Sequence, residues 1–292
     1  MNDQPRRRTR VFAVLPTLLT LGNGVCGFGS ITFASKVGLT KQWGWVGTDT
    51  DYLFIAGLLV FLAMVFDALD GRAARWAKQS SQFGAELDSL CDAISFGVAP
   101  AFLLIKFSPD FHPRWLWVIA VLFMVCVVLR LARFNVETDE EDSHDYFSGL
   151  PSPAAAGTVA SFMIAYPELV SLATADVSTA TAWDRGLHSF AVAVLPLLKT
   201  GLPLVTLLCA CLMVSRIRYS HVFNQYFRGK KSFHHLILIV TGFAAAFLVQ
   251  ELAVPLIFCW FAFGSPLRAL WTKLLIRRPA SNPNDVAKST TP

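Results

Sequence analysis

Charged residues are scarce in this 292-residue chain, and their scarcity excludes a protein whose whole surface faces water. Only 15% of the residues are Asp, Glu, Lys or Arg, while 54% are hydrophobic and the mean hydropathy is +0.51. A soluble globular domain carries about a quarter charged residues. The 6 cysteines include no CxxC pair and no other metal-ligand spacing, so a zinc site and a disulfide framework are not expected.

Apolar runs long enough to cross a bilayer follow one another along the chain, and no strand-like alternation competes with them. A hydrocarbon core about 30 Å thick requires roughly 20 apolar residues in a helix. The pattern predicts an all-α, polytopic integral membrane protein with about eight transmembrane helices. The predicted spans are 14–36, 52–76, 86–106, 114–135, 153–172, 188–214, 234–250 and 252–275.

The net charge of +5 is explained by membrane topology. If the N-terminus is cytoplasmic and each helix crosses once, 18 of the 25 Lys and Arg residues fall on cytoplasmic segments and five on the opposite side. Basic residues prefer the cytoplasmic side of a membrane. We therefore expect a cell-membrane protein with both termini in the cytoplasm, and no nucleic-acid partner is needed to account for the basic excess.

Acidic residues are concentrated where predicted helix 2 ends and predicted helix 3 begins. Asp67 and Asp70 are three residues apart and share one helix face. Asp88 and Asp92 are four residues apart and share another. The short link 78–83 makes the two helices antiparallel neighbours, so the four carboxylates are expected to converge. Because like charges repel strongly at low dielectric, such a group requires protons or cations to neutralise it.

This group of carboxylates has three interpretations. Hard oxygen ligands suit Mg²⁺, Mn²⁺ or Ca²⁺, and two metals bridged by carboxylates can clamp a phosphate and stabilise the leaving oxygen. The same residues could instead form a proton or cation relay in a transporter, or a structural network of ion pairs. Gly71 and Ala74 leave room for a ligand beside the helix, and Arg75 can donate to a phosphate.

A longer motif surrounds the four aspartates. It reads Asp67-Ala-Leu-Asp70-Gly71-Arg-Ala-Ala74-Arg75, then eight residues, then Gly84-Ala-Glu-Leu-Asp88-Ser-Leu-Cys-Asp92. The motif resembles the signature of the CDP-alcohol phosphatidyltransferases at every fixed position. Within that family, four further stretches look like those of the membrane-embedded bacterial and archaeal phosphatidylserine synthases: 16–23, 83–101, 130–135 and 147–154. The resemblance covers about residues 11–215.

The resemblance implies a reaction and a set of site residues. Members of this family transfer a phosphatidyl group from a CDP-linked lipid to an alcohol, release CMP and use two divalent cations, here expected to be Mg²⁺ or Mn²⁺ with Ca²⁺ as a further candidate. The implied metal ligands are Asp67, Asp70 and Asp88. Asp92 would be the general base on the acceptor hydroxyl and could also touch the second metal. The implied CDP-lipid site consists of Gly71, Ala74, Arg75, Ser81, Gly84 and Asn23.

The flanking stretches point to CDP-diacylglycerol as donor and L-serine as acceptor, and the family resemblance implies a homodimer. A serine carboxylate requires donors, for which Arg130, Arg133 and Asn135 are the candidates. The two arginines could instead anchor their helix at the membrane edge. Choline, glycerol 3-phosphate and inositol phosphate stay open as acceptors, since a phosphorylated acceptor would also need cationic partners.

The chain is expected to comprise four parts around this site. Residues 14–215 form a catalytic core of six helices, preceded by a basic cytoplasmic segment, 1–13. Residues 216–276 supply a basic cytoplasmic loop and two further transmembrane helices. The polar tail 277–292 is expected to be disordered.

Overall fold

The computed structural model of the chain describes residues 4–38, 48–77, 82–137, 147–176, 181–215, 218–219 and 253–275. Within these ranges the chain is almost wholly helical. The helices are α1 Gln4–Ser35, α2 Asp49–Ala77, α3 Gln82–Asp92, α4 Ala99–Phe107, α5 Pro113–Glu137, α6 Ser152–Thr174, α7 Ala182–Val214 and α8 Ala253–Leu275. A π-helical segment, Ala93–Val98, joins α3 to α4. Two short strands, β1 Phe147–Ser148 and β2 Arg218–Tyr219, pair antiparallel.

Six helical stretches of the described chain are long and apolar enough to cross a membrane, which confirms the prediction of an all-α polytopic membrane protein. These stretches are Leu15–Ser35, Asp49–Ala73, Phe83–Phe107, Pro113–Val136, Ser152–Thr174 and Ala182–Val214. The apolar part of α8, Ala253–Gly264, is shorter. The predicted span 234–250 lies outside the described residues, as do the basic loop 220–231 and the tail 277–292.

Helices α1 and α7 begin six or more residues earlier than the hydropathy pattern predicts. Helix α1 starts at Gln4 instead of residue 14, so it includes most of the basic segment 1–13. Helix α7 starts at Ala182 instead of residue 188. Its start is defined by a capping box, in which the Thr181 hydroxyl accepts from the Asp184 amide and the Asp184 carboxylate accepts from the Thr181 amide. Polar capping residues extend a helix beyond its apolar run, and hydropathy does not detect them.

The third predicted span is interrupted by the π-helical segment. Pro100, at the start of α4, has no amide hydrogen, and a proline ring in a regular helix clashes with the carbonyl four residues before it. The wider turn relieves this conflict, since the Ala99 amide donates to the Ile94 carbonyl five residues earlier. The segment also carries Ser95, which is fully buried against α1.

Helix α1 packs unusually closely against α3 and the π-helical segment because glycines line the contact. A Cβ atom at Gly24 would lie 3.0 Å from Cys91 Sγ. At Gly27 it would lie 2.7 Å from the Cα of Ser95, closer than real Cβ atoms approach backbone. Small residues permit close helix approach within a membrane. The polar residues next to these glycines on α1 are therefore brought within hydrogen-bonding distance of α3.

The distribution of apolar side chains fits a protein surrounded by lipid. The core is formed by fully buried residues such as Phe96, Phe123 and Met163. Large apolar side chains are also exposed on the outer faces of α1, α5 and α7, including Phe28 at 68%, Trp117 at 63% and Leu197 at 67%. In water such surface would be an association hazard, whereas in a bilayer it contacts the acyl chains.

We expect Gly27→Ala to destabilise the protein by about 1–3 kcal/mol, as overpacking of a tight contact does. The added methyl group meets the backbone of Ser95, which cannot rotate away. Gly201→Ala in α7 is the matched control, because a Cβ there meets no described atom within 4 Å. Thermal unfolding of the two variants in detergent measures the difference, and equal stabilities would contradict the close packing of α1.

Candidate active site

Three carboxylates converge where α2 and α3 lie side by side. One oxygen from each of Asp67, Asp70 and Asp88 lies within 4.8 Å of the other two. The spacing of three residues places the first pair on one face of α2, and α3 contributes the third. Asp70 is buried, and the other two are half-buried. The predicted convergence is therefore observed for three of the four aspartates.

Asp92, the fourth aspartate, lies at the end of α3 and is held by a residue of α1. The Asn23 side-chain amide donates to Asp92 Oδ1 at 2.8 Å, and both residues are buried. Asn23 is itself fixed, because the Ser95 hydroxyl donates to its backbone carbonyl at 2.9 Å. One carboxylate oxygen of Asp92 is thus oriented by the protein.

A second donor from α1 reaches the three-aspartate group, formed by Asp67, Asp70 and Asp88. The Thr20 hydroxyl lies 2.9 Å from Asp70 Oδ2 and donates to it, and it is also 3.1 Å from the Pro16 carbonyl of its own helix. Thr20 and Asn23 are one helical turn apart and so share a face of α1. This face therefore orients one carboxylate from α2 and one from the end of α3.

The donor chemistry of the group fits a hard divalent cation. Carboxylate oxygens are the ligands that Mg²⁺ and Mn²⁺ prefer. Asp88 Oδ1 is buried and has no hydrogen-bond partner among the described residues, although buried carboxylate oxygens are normally paired. A cation held by Asp67, Asp70 and Asp88 would supply the missing partner and offset the repulsion among the three charges.

Arg130 of α5 faces the same region. Its guanidinium lies in electrostatic range of Asp92 and Asp67. Its Nη1 donates to the Ser152 hydroxyl at 2.9 Å, and its buried Nε has no hydrogen-bond partner among the described residues.

Of the other two candidates for acceptor binding, Arg133 lies one turn further along α5 and is half-buried. The amide of Asn135 donates to the Ser89 hydroxyl of α3 at 2.9 Å.

The residues implied for the CDP-lipid site are resolved to different extents. Gly71 is exposed, and a Cβ there would meet no described atom within 4 Å, so the α2 backbone is accessible at this point. Gly84 is half-buried at the start of α3. Ala74 and Arg75 belong to α2, but their side chains lie outside the described part, and so does Ser81. Asn23 is directed at Asp92.

Three residues of this region escaped the sequence analysis: Thr20, Ser95 and Ser152. A usable signal existed for the first, since Thr20 lies one turn before Asn23 in the stretch 16–23 that resembles the family. Ser95 and Ser152 also lie in such stretches, 83–101 and 147–154. Nothing in those stretches singles out either serine, because each acts across a helix pair that is distant in sequence.

Comparison with known proteins identifies the relatives of the chain. Residues 13–194 match the family model described as CDP-alcohol phosphatidyltransferase. The chain is similar to a protein of Mycobacterium bovis named CDP-diacylglycerol–serine O-phosphatidyltransferase, at 38% identity over 53% of this chain and 51% of the relative. A Saccharomyces cerevisiae protein of the same name is 40% identical over 48% of this chain and 50% of the relative.

An archaeal relative extends the similarity further along the chain. The archaetidylserine synthase of Methanothermobacter thermautotrophicus is 37% identical over 58% of this chain and 65% of the relative. The matched part of the chain thus spans about half the length of the first two relatives and somewhat more of the third.

We expect Thr20→Val to weaken divalent-metal binding by about 10- to 100-fold, the usual effect of removing a hydrogen bond that orients a ligand. Thr206→Val is the matched control, because within the described part of the chain the buried Thr206 hydroxyl bonds only the Leu202 carbonyl of its own helix. Calorimetric titration of the purified protein with Mn²⁺, without substrate, measures the affinities. Equal affinities in the two variants would contradict an orienting role for Thr20.

Proposed function

The chain belongs to the CDP-alcohol phosphatidyltransferase family, and we propose that it transfers a phosphatidyl group from CDP-diacylglycerol to the hydroxyl of L-serine, releasing CMP. The observation that carries this proposal is the convergence of the Asp67, Asp70 and Asp88 carboxylates within 4.8 Å. Such a group is suited to divalent cations that bind a pyrophosphate. The names of the similar bacterial and yeast proteins support serine as the acceptor.

In this proposal Asp67, Asp70 and Asp88 hold two divalent cations, Mg²⁺ or Mn²⁺. When bound, these cations would neutralise the pyrophosphate of the donor and the charge that develops on the departing CMP. The unpartnered oxygen of Asp88 supports this assignment. Gly71, Ala74, Arg75, Ser81 and Gly84 are proposed to line the CDP site, for which the open face of α2 at Gly71 leaves room.

Asp92 is proposed to act as the general base. A serine hydroxyl is a poor nucleophile at neutral pH, so its proton must be accepted as the oxygen attacks. With Oδ1 engaged by Asn23, the other carboxylate oxygen of Asp92 would accept this proton. The serine oxygen forms a bond to the lipid-side phosphorus, the bond from that phosphorus to the bridging oxygen breaks, and CMP leaves with the electron pair.

We further propose that the protein is a homodimer of the cell membrane with its active site in the cytoplasm. The positive-inside distribution of its Lys and Arg residues supports the orientation. The family resemblance supports the dimer. Native mass spectrometry in lipid nanodiscs is expected to give twice the chain mass, and a monomer under these conditions would contradict the dimer.

The reaction is tested by measuring CMP release from CDP-diacylglycerol by the purified protein. L-Serine, choline, glycerol 3-phosphate and inositol phosphate are supplied separately, with Mg²⁺, with Mn²⁺ or with a chelator. We expect CMP only with serine and a divalent cation. CMP release with one of the other acceptors alone would support the transferase reaction but contradict serine as the acceptor. No CMP with any acceptor would contradict the transferase and favour the alternative of a cation-coupled transporter.

Asp92→Asn is expected to lower kcat by about 10²- to 10⁴-fold, the usual contribution of a general base. Its binding of CDP-diacylglycerol, measured by calorimetry, should persist because the variant keeps the carboxylates of the three-aspartate group. Asp110→Asn, in the exposed loop between α4 and α5, is the matched control and should keep full activity. Full activity of Asp92→Asn would remove Asp92 from the role of base.

A further inference from the structure

Arg130 is held in one orientation by a rigid partner. Ser152, the first residue of α6, is 1% exposed and accepts a hydrogen bond from Arg130 Nη1 at 2.9 Å. Its position is set by the turn before it, where the Leu150 amide donates to the Leu212 carbonyl of α7 at 3.1 Å. Gly149 in that turn has a φ of +90°, and a Cβ there would collide with the Met213 carbonyl. The anchor of the guanidinium is therefore fixed by backbone contacts.

The hydrogen bond to Ser152 uses Nη1 and not the Nε edge of the guanidinium. A guanidinium carries five N–H groups in a plane, and its Nε–H and one Nη2–H point in parallel. Nη1 is engaged, whereas Nε is buried and without a partner among the described residues. A buried N–H group is normally satisfied. The parallel pair of N–H groups matches the two oxygens of a carboxylate.

The acidic residues near Arg130 indicate the ligand. The guanidinium lies in electrostatic range of Asp92 and Asp67. If Asp92 takes the proton of the acceptor hydroxyl, the other groups of a small acceptor must lie within a few bonds of that point. In serine the carboxylate is such a group. The phosphates of the donor are a less suitable ligand for Arg130, because they are proposed to bind the cations of the three-aspartate group.

We propose that Ser152 is a positioning residue that sets Arg130 to bind the carboxylate of the acceptor, and that this pair selects an amino acid over an amino alcohol. The inference rests on the proposed function and deepens it. It gives Arg130 the specificity role at the acceptor site, and it gives Ser152 of α6 a role that the resemblance of the stretch 147–154 does not specify.

The test compares L-serine with serinol, 2-amino-1,3-propanediol, which has the hydroxyl and the ammonium group but no carboxylate. CMP release gives kcat/KM for each acceptor, and the ratio of the two values does not depend on how much of the enzyme is folded. We expect the wild-type protein to prefer serine, and Ser152→Ala to reduce this preference roughly tenfold to a hundredfold, as loss of an oriented charged hydrogen bond does. The change should appear in the KM for serine and not in the KM for CDP-diacylglycerol.

Two further variants keep the inference testable if Ser152→Ala folds poorly. Ser152→Thr retains the hydroxyl and should retain the preference for serine. Arg130→Lys keeps the charge but lacks the parallel N–H pair, so it should lose the preference. Ser161→Ala is the matched control, because among the described residues this buried serine of α6 bonds only the Thr158 carbonyl of its own helix.

The outcomes separate the inference from the function on which it rests. No CMP from wild-type protein with either acceptor would overturn the proposed function. CMP with serine, but an unchanged serine-to-serinol ratio in Ser152→Ala and Arg130→Lys, would overturn only the carboxylate site. A raised KM for CDP-diacylglycerol with an unchanged ratio would also overturn it, and would assign Arg130 to the donor phosphates.

Discussion

Electrostatic repulsion among carboxylates is the constraint on which this site depends. One carboxylate oxygen from each of Asp67, Asp70 and Asp88 lies within 4.8 Å of the other two. Like charges repel strongly in the low-dielectric environment at the membrane edge. Helix packing must therefore hold them together. Helix α1 contributes to this, because glycines on its faces toward α2 and α3 allow close packing, and its Thr20 and Asn23 donate to Asp70 of α2 and Asp92 of α3.

The opposite side of the site is organised by a separate set of contacts. Arg130 extends from α5 to the first turn of α6, where Ser152 is fixed by the turn that packs on the end of α7. In the proposed reaction, hydrogen bonds on the α1 side would orient carboxylates toward the metal cations and the hydroxyl proton, while the one on the α6 side would orient the Arg130 guanidinium toward the acceptor carboxylate. The proposed reaction needs both, since a small acceptor must be held at one end while its hydroxyl is activated at the other.

The aspartates were predictable because their spacing is local. Intervals of three and four residues place side chains on one helix face whatever the rest of the fold does, and a short link requires the two helices to be neighbours. The membrane-spanning stretches were predictable for a similar reason, since apolar length is a property of the chain itself. The interruption of the third span by the π-helical segment was not predictable from Pro100, which follows that segment at the start of α4, because a proline can also begin or kink a regular helix.

The sequence by itself determined the helical class, the membrane-spanning character, the family and the identity of the acidic residues, all of which depend on local order along the chain. Only the tertiary structure decided which neutral side chains form hydrogen bonds to those acids and to Arg130. Thr20 lies 50 positions from Asp70, Asn23 lies 69 from Asp92, and Arg130 lies 22 from Ser152. Such pairings depend on how closely helices approach and at which turn they cross. That geometry is set by packing at a few small residues and by backbone contacts at one turn, and no periodicity in the chain encodes it.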